Sequence, residues 1–195
     1  MSLLLRIVQT LLIIPVLLAA PTGSAGAQRA EDGWALLEKP RMVAIMRHAT
    51  APGTGDPENF RIGDCSTQRN LDESGREQAR AIGRAVRAAG IRIDRVYSSE
   101  WCRCLETARL LEPAAVETLP VLNSFFSDRS TESRQTVALR AFLSTVPEDE
   151  TVFLVTHQVN ITALTGVWPS SGEVLLLEVK PEGQPDVVDR LLIRP

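Results

Sequence analysis

The sequence predicts a three-layer α/β/α sandwich around a mostly parallel central sheet. Three observations predict it. Continuous apolar runs alternate with amphipathic stretches, the pattern of strands buried on both faces between helices. The chain after residue 40 is long enough for one substantial core and short for two. The last two apolar runs lie close together across a Pro/Gly-rich connection, which suits an antiparallel pair rather than a crossover.

Met42–Arg47 is the first strand. Asp72–Ala89 follows as a helix with the stripe Ala79, Ile82, Val86 and Ala89, Asp72 or Ser74 as N-cap, and Gly90 just past its end. Arg95–Ser98 is a short strand leading into a helix over Trp101–Leu111, and Val116–Leu119 a third strand. Thr131–Val146 is helical and stops at Pro147, which cannot continue it. Thr151–Thr156 is the clearest strand, rich in β-branched and aromatic residues. A short helix over Asn160–Gly166 precedes the late strands Glu173–Val179 and Val187–Ile193.

Met1–Ala27 reads as a secretory signal peptide. Arg6 supplies the positive region, Leu11–Ala20 the apolar region, and Ala25-Gly26-Ala27 a small-x-small cleavage site before Gln28. A retained anchor is the competing reading, but the apolar run is about ten residues where a span needs roughly twenty. The expected location is therefore a periplasm or the cell exterior, with no membrane span in the mature chain. Residues 28–40 form an N-terminal extension whose Trp34, Leu36 and Leu37 are expected to dock, and 41–195 the domain. Removing Arg6 and no acid takes the formal charge from −3 to −3 − 1 = −4. An acidic chain with no basic stretch is poorly suited to nucleic acid, where phosphate contacts supply most of the affinity.

Cys65, Cys102 and Cys104 are not expected to stay free together in an oxidising compartment. Cys102-Arg103-Cys104 is too tight for the usual zinc spacings, and no acidic or His/Cys cluster suggests a metal. A disulfide from Cys65 to either Cys102 or Cys104 is the preferred reading; three buried, reduced cysteines are the alternative.

The chain has two histidines, and each follows a predicted parallel strand: His48 after Met42–Arg47, His157 after Thr151–Thr156. Open α/β sheets bind ligands in the crevice beyond those strand ends. Arg47 and His48 converge only if the chain turns there, since successive strand side chains face opposite ways. Ala49-Thr50-Ala51-Pro52-Gly53 is suited to such a turn. In the helix over Trp101–Leu111, Trp101, Leu105 and Ala108 form the expected packing stripe. Arg103 then lies opposite, near Thr107, where it meets either a bound anion or the carboxylates of Glu100 or Glu106.

Four segments, in order, resemble one family. Arg47-His48-Ala49 is similar to the Arg-His-Gly signature of the histidine phosphatase superfamily, with its phosphoglycerate-mutase-like fold. Leu71-Asp72-Glu73-Ser74-Gly75-Arg76-Glu77-Gln78-Ala79 is similar to its Leu-Thr-x-x-Gly-x-x-Gln-Ala helix start. Ser98 to Ala108 resembles its Ser-x-Leu-x-Arg-Ala-x-x-Thr-Ala segment, and Val155-Thr156-His157 the strand carrying its second histidine. The resemblance implies that His48 is a nucleophile forming a phosphohistidine, while Arg47, Arg103 and His157 bind the phosphoryl oxygens. His48 would attack as the neutral imidazole, and His157 would serve best as a cation. No cofactor is implied.

The chain also departs from the family pattern. Ala49 stands where the signature has glycine, and Gln158 follows His157 where relatives have glycine or an acid. The leaving-group acid of mutase-like members comes from the region after the third strand, here Leu122-Asn123-Ser124-Phe125-Phe126-Ser127-Asp128. Asp128 is the candidate, with Asp56, Glu58 and Glu132 competing. The expected activity is hydrolysis of a small phosphorylated substrate by an exported phosphatase. The alternative is a non-catalytic phospho-ligand binding protein on the same fold, and oligomeric state stays open.

Overall fold

The computed structural model describes residues 33–193, and the expected signal segment lies outside the described residues. Six strands form one sheet: β1 (Met42–Arg47), β2 (Arg95–Ser98), β3 (Val116–Thr118), β4 (Val152–Thr156), β5 (Val174–Val179) and β6 (Pro185–Leu191). Their order across the sheet is β3-β2-β4-β1-β5-β6. The first four run parallel, while β5 pairs antiparallel with β1 and β6 antiparallel with β5. The expected three-layer architecture and late antiparallel pair are thus both present.

Alternation on the central strands explains the layers. Met42, Ala44 and Met46 of β1 join Phe153 and Val155 of β4 in one core cluster, whereas Val43, Ile45, Val152 and Leu154 join the other. Helices α1 (Glu73–Ala88) and α2 (Cys102–Leu110) cover the first face with Ile82, Val86, Cys104 and Ala108. Helices α3 (Glu132–Leu143) and α4 (Gln158–Thr165) cover the second with Leu139, Leu143, Ile161 and Leu164. Strands covered on both sides must be apolar throughout, which is why β1 and β4 read as unbroken runs. The extension docks as expected: Trp34 is fully buried against the ring of Phe153, and Leu37 is also buried. Among the described residues, no helix is long and apolar enough to cross a membrane.

Three features differ from the sequence reading in ways that matter for the site. Helix α4 begins at Gln158, two residues earlier than expected, with His157 as its N-cap residue. The stripe of α2 is Trp101, Cys104, Ala108 and Leu111, while Leu105 is only half-buried. Arg103 does not face solvent: it is 3% exposed, because the long connection over residues 48–72 folds across that side of α2. Asp72, rather than Ser74, caps α1 by accepting from Gly75 N at 2.8 Å.

Candidate active site

Strands β1 and β4 are neighbours in register, Arg47 opposite Thr156, so His48 and His157 leave the sheet side by side. The His48 amide donates to Thr156 O at 2.9 Å, extending the ladder one step past the strand. Strand β2 flanks β4 on its other side, which places Ser99 beside His157 and carries α2, with Arg103 in its first turn, to the same edge. The structure therefore brings Arg47, His48, Arg103 and His157 together. Their sequence separation is the ordinary consequence of parallel strand order.

The chain does turn after His48. Ala49 N donates to Thr107 Oγ1 at 3.1 Å, and Thr107 Oγ1 donates in turn to Arg103 O at 2.7 Å. Ala49 is fully buried with Ala51, Leu71 and Ala79, and is not among the residues with positive φ. A methyl in place of the signature glycine therefore costs no backbone strain there and gains a packing contact. Glycine is required instead at Gly75: a Cβ there would lie 2.0 Å from Thr50 O. One turn on, Gln78 Oε1 accepts from Thr50 N at 3.0 Å while Gln78 Nε2 donates to Ser171 O at 2.9 Å, tying two loops of the site to α1.

The donors and acceptors around the two imidazoles fit one neutral tautomer of each. Arginine has only donors to give. Arg103 Nε donates to His48 Nε2 at 3.2 Å, so Nε2 carries the lone pair, and Nδ1–H donates to Ala49 O at 2.8 Å. Arg103 Nη2 donates to His157 Nδ1 at 3.4 Å, so His157 bears its proton on Nε2, which lies 2.8 Å from Ser99 Oγ. Ser99 Oγ donates to Asn123 Oδ1 at 3.2 Å. Burial, then Arg103, hold the pKa of His48 well below the ordinary histidine value, with Arg47 and Arg69 adding to this and the Ala49 carbonyl opposing it. Burial, Arg103, His48 and the two other arginines push His157 the same way. The expected cationic His157 is disfavoured in this geometry: three guanidinium groups already carry positive charge, and a fourth cation among them is unfavourable.

Arg47 is half-buried, donates from Nη1 to Pro169 O at 3.3 Å, and has a buried Nε with no hydrogen-bond partner among the described residues. Arg69 is the cation that the sequence reading missed. Its Nε donates to Gly55 O at 2.8 Å and its Nη1 to Ala51 O, stitching the loop around the site. Burial and then Arg103 lower its pKa, whereas Asp56 opposes that shift.

The expected acid requires correction. Asp128 is exposed, and its Oδ1 accepts from Ser130 N at 3.0 Å and Ser130 Oγ at 2.6 Å, a local cap with no hydrogen bond to either histidine or to Arg103. Of its competitors, Glu132 pairs with Arg129 at the start of α3, and Glu58 is exposed. Asp56 is the carboxylate that reaches the site, and it does so as a partner of Arg103. Cys65 is bonded to Cys102, with Cα atoms 5.7 Å apart, and Cys104 is the buried free thiol. Burial pushes the Cys104 thiol up to about 12, so it stays protonated beside His157.

Comparison with known proteins agrees with this geometry. Residues 43–126 match the family model of the histidine phosphatase superfamily, branch 1. No curated protein matches the chain by sequence. The fold is similar to that of the protein histidine phosphatase SixA solved with tungstate, at 16% identity and a TM-score of 0.53, covering 77% of this chain and 96% of that one. It is also similar to an Entamoeba histolytica phosphoserine phosphatase in complex with 3-phosphoglyceric acid, at 14% identity and a TM-score of 0.54, covering 76% and 95%. A mycobacterial glucosyl-3-phosphoglycerate phosphatase aligns at 15% identity and a TM-score of 0.53, covering 80% and 100%. With four motifs in order, one sheet topology and both histidines at adjacent strand ends, the chain is similar to the histidine phosphatase superfamily, branch 1, over residues 43–126 and shares the fold of the phosphatases above.

Proposed function

We propose that the chain is a phosphatase that hydrolyses a phosphomonoester through a phosphoryl group carried on His48 Nε2. One observation carries the reading: the Ala49 carbonyl engages His48 Nδ1, so that the Nε2 lone pair of His48 faces the Arg103 guanidinium. Arg103 Nε and Nη2, now on the two imidazoles, and the unpartnered Nε of Arg47 are the donors for the three equatorial oxygens. Nε2 attacks phosphorus as the ester oxygen departs with the bonding electrons. Water then attacks the phosphorus of phospho-His48, releasing phosphate and restoring the lone pair. His157 takes a proton at Nδ1 only when a phosphate dianion offsets the three arginines.

The substrate reading follows from the proton balance. Asp56 is held in its ionised form and Asp128 is capped on the surface, so neither is placed to protonate a departing alkoxide. This favours weakly basic leaving groups, such as those of aryl phosphates, over simple alkyl alcohols. The names of the structural relatives span phosphohistidine, phosphoserine and sugar phosphoglycerate substrates, so the fold does not choose among them. The same lack of a placed acid supports the second reading, a phospho-ligand binding protein without turnover. Export by the leader is part of the first reading, and N-terminal sequencing of protein from its natural compartment tests it, with Gln28 as the expected first residue.

Turnover of p-nitrophenyl phosphate decides between the readings. Wild-type protein should hydrolyse it, and His48→Ala should not. Base-quenched reactions with labelled substrate should place an acid-labile phosphoryl group on the peptide containing His48. Phosphate binding without turnover would leave the binding protein, and a label on another residue would remove His48 as nucleophile.

A further inference from the structure

Arg103 has five N–H donors, and the structure accounts for all of them. Nε goes to His48 Nε2 and one Nη2 proton to His157 Nδ1, so the side-on edge of the guanidinium faces the two imidazoles. The other edge faces away. Nη1 donates to Asp56 Oδ1 at 2.7 Å and to Arg69 O at 3.3 Å, and the second Nη2 proton goes to Asp56 Oδ2 at 3.1 Å. Asp56 is equally saturated. Oδ1 also accepts from Arg69 N at 3.1 Å, and Oδ2 from Trp101 Nε1 at 3.0 Å. Four donors converge on one carboxylate, two of them from a guanidinium that is 3% exposed. Burial alone would raise the Asp56 pKa, but the hydrogen bonds and charge of Arg103, with Arg69 N and Trp101, hold it below the usual carboxylate range.

We propose that Asp56 is the positioning residue for Arg103: it holds the end-on edge of the guanidinium so that the side-on edge is presented to the phosphoryl group. The proposal rests on the phosphatase reading above. It also answers the objection that a carboxylate in an anion pocket competes with substrate. Asp56 occupies only donors that point away from the imidazoles, and an entering phosphoryl group takes over the two that point toward them. The clamp is itself braced. Trp101 stacks on Phe60 with centroids 4.9 Å apart, and Cys102 N donates to Gln68 Oε1 at 2.9 Å. Rotation of a guanidinium about its long axis is otherwise soft, and a misplacement of about 1 Å at a reacting centre costs on the order of 100-fold in rate.

Asp56→Asn is the central variant, because its amide nitrogen turns an acceptor into a donor facing donors. It should lower kcat on p-nitrophenyl phosphate by about 10- to 100-fold with KM within about threefold of wild type. Vanadate, which adopts the trigonal bipyramid, should lose affinity with kcat/KM, while inorganic phosphate holds within about threefold. The decisive measurement is the cycle with Arg103→Ala: a residue acting through Arg103 should change kcat less than about twofold once Arg103 is gone. An unchanged kcat in Asp56→Asn, or the same loss in both backgrounds, overturns the proposal. If Asp56→Asn does not fold, Trp101→Phe removes one of the four donors and goes through the same cycle with the same criteria. If wild type lacks turnover, the phosphatase reading fails by itself, and the cycle run on vanadate affinity still decides the role of Asp56.

Discussion

Removing the bond between Cys65 and Cys102, as Cys65→Ser with Cys102→Ser, tests how the connection after His48 is held. The two cysteines are 37 residues apart, so the bond closes a loop that contains Arg69, all of α1 and β2. In the chain-entropy account, a loop of that length is worth about 4 kcal/mol, acting mainly on the unfolded chain. For a domain of this size each kcal/mol moves Tm by roughly 2–4 °C, so the variant should melt roughly 8–16 °C below the oxidised wild type. Activity at 25 °C should fall less, by under about tenfold, because the Arg69 carbonyl and Asp56 still tie the connection after His48 to Arg103. Differential scanning calorimetry with and without dithiothreitol measures this. Reductant should lower Tm in wild type and in Cys104→Ala, where the buried Cys104 is only a bystander, and leave the double serine variant unmoved. A double variant melting within 2 °C of oxidised wild type would refute the reasoning, since loop closure would then stabilise nothing.

Two buried histidines held neutral make stability depend on pH in a definite direction. Their folded pKa values are lowered, so the unfolded chain binds more protons below about pH 6.5 and stability falls from there toward the folded values, at up to about 2.7 kcal/mol per pH unit for the pair. Urea midpoints at pH 6.5 and 5.5 should differ by more in wild type than in His48→Gln/His157→Gln; equal differences would count against neutral histidines. With a dianionic substrate, kcat/KM should hold from pH 6.5 to 8.5 and decline only on the acid side, and an acid limb centred above 6.5 would contradict the depressed His48. His157→Ala should lower kcat by about 100- to 1000-fold, the usual cost of one donor to a developing charge, and a change under tenfold would remove it from the chemistry. Gly75→Ala puts a methyl 2.0 Å from a backbone oxygen that no rotamer relieves. It should cost about 1–3 kcal/mol and lower kcat as well, since Thr50 follows the His48 turn; a neutral substitution would mean that α1 is free to shift.

Strand ends were easy to read from sequence, and the reason is physical. A parallel strand buried on both faces must be an apolar run, so β1 and β4 announce themselves, and each histidine stands on the first residue beyond. The states of those histidines were not readable. His157 looked most useful as a cation because its neighbours in space, Arg69 and Arg103, come from a loop and a helix whose proximity no local pattern records. The helical period alone sets Arg103 opposite the packing stripe of α2. What the helical period omits is that residues 48–72 cover that side, and loops without periodicity give no register from which to infer a covering layer. The start of α4 is not legible in the sequence for a related reason: His157 occupies the N-cap position without a capping side chain, so the usual Ser/Thr/Asp/Asn signal is absent.

The choice between acids shows how local chemistry narrows what spacing leaves open. Asp64, Asp72 and Asp128 each stand two residues before a serine: Asp64-Cys65-Ser66, Asp72-Glu73-Ser74 and Asp128-Arg129-Ser130. In all three, Oδ1 accepts from the hydroxyl of that serine, at 2.7, 2.8 and 2.6 Å, and also from a backbone amide two or three residues on. Side chains of this kind are engaged by their own turn before any distant partner arrives. Asp56 is followed by Pro57 and Glu58, with no hydroxyl at that offset. Its carboxylate is left to donors from elsewhere, and it finds Arg103, Trp101 and the amide of Arg69. An Asp-x-Ser pattern therefore argues against Asp128 as a proton donor from the sequence alone, and its absence makes Asp56 the aspartate of the loop that is free to serve the site. A carboxylate saturated by two guanidinium donors cannot also deliver a proton. On the proposed phosphatase reading, the residue that satisfies Arg103 also leaves the departing group to be stabilised by its own chemistry, so the proposed clamp and the proposed leaving-group preference share one cause.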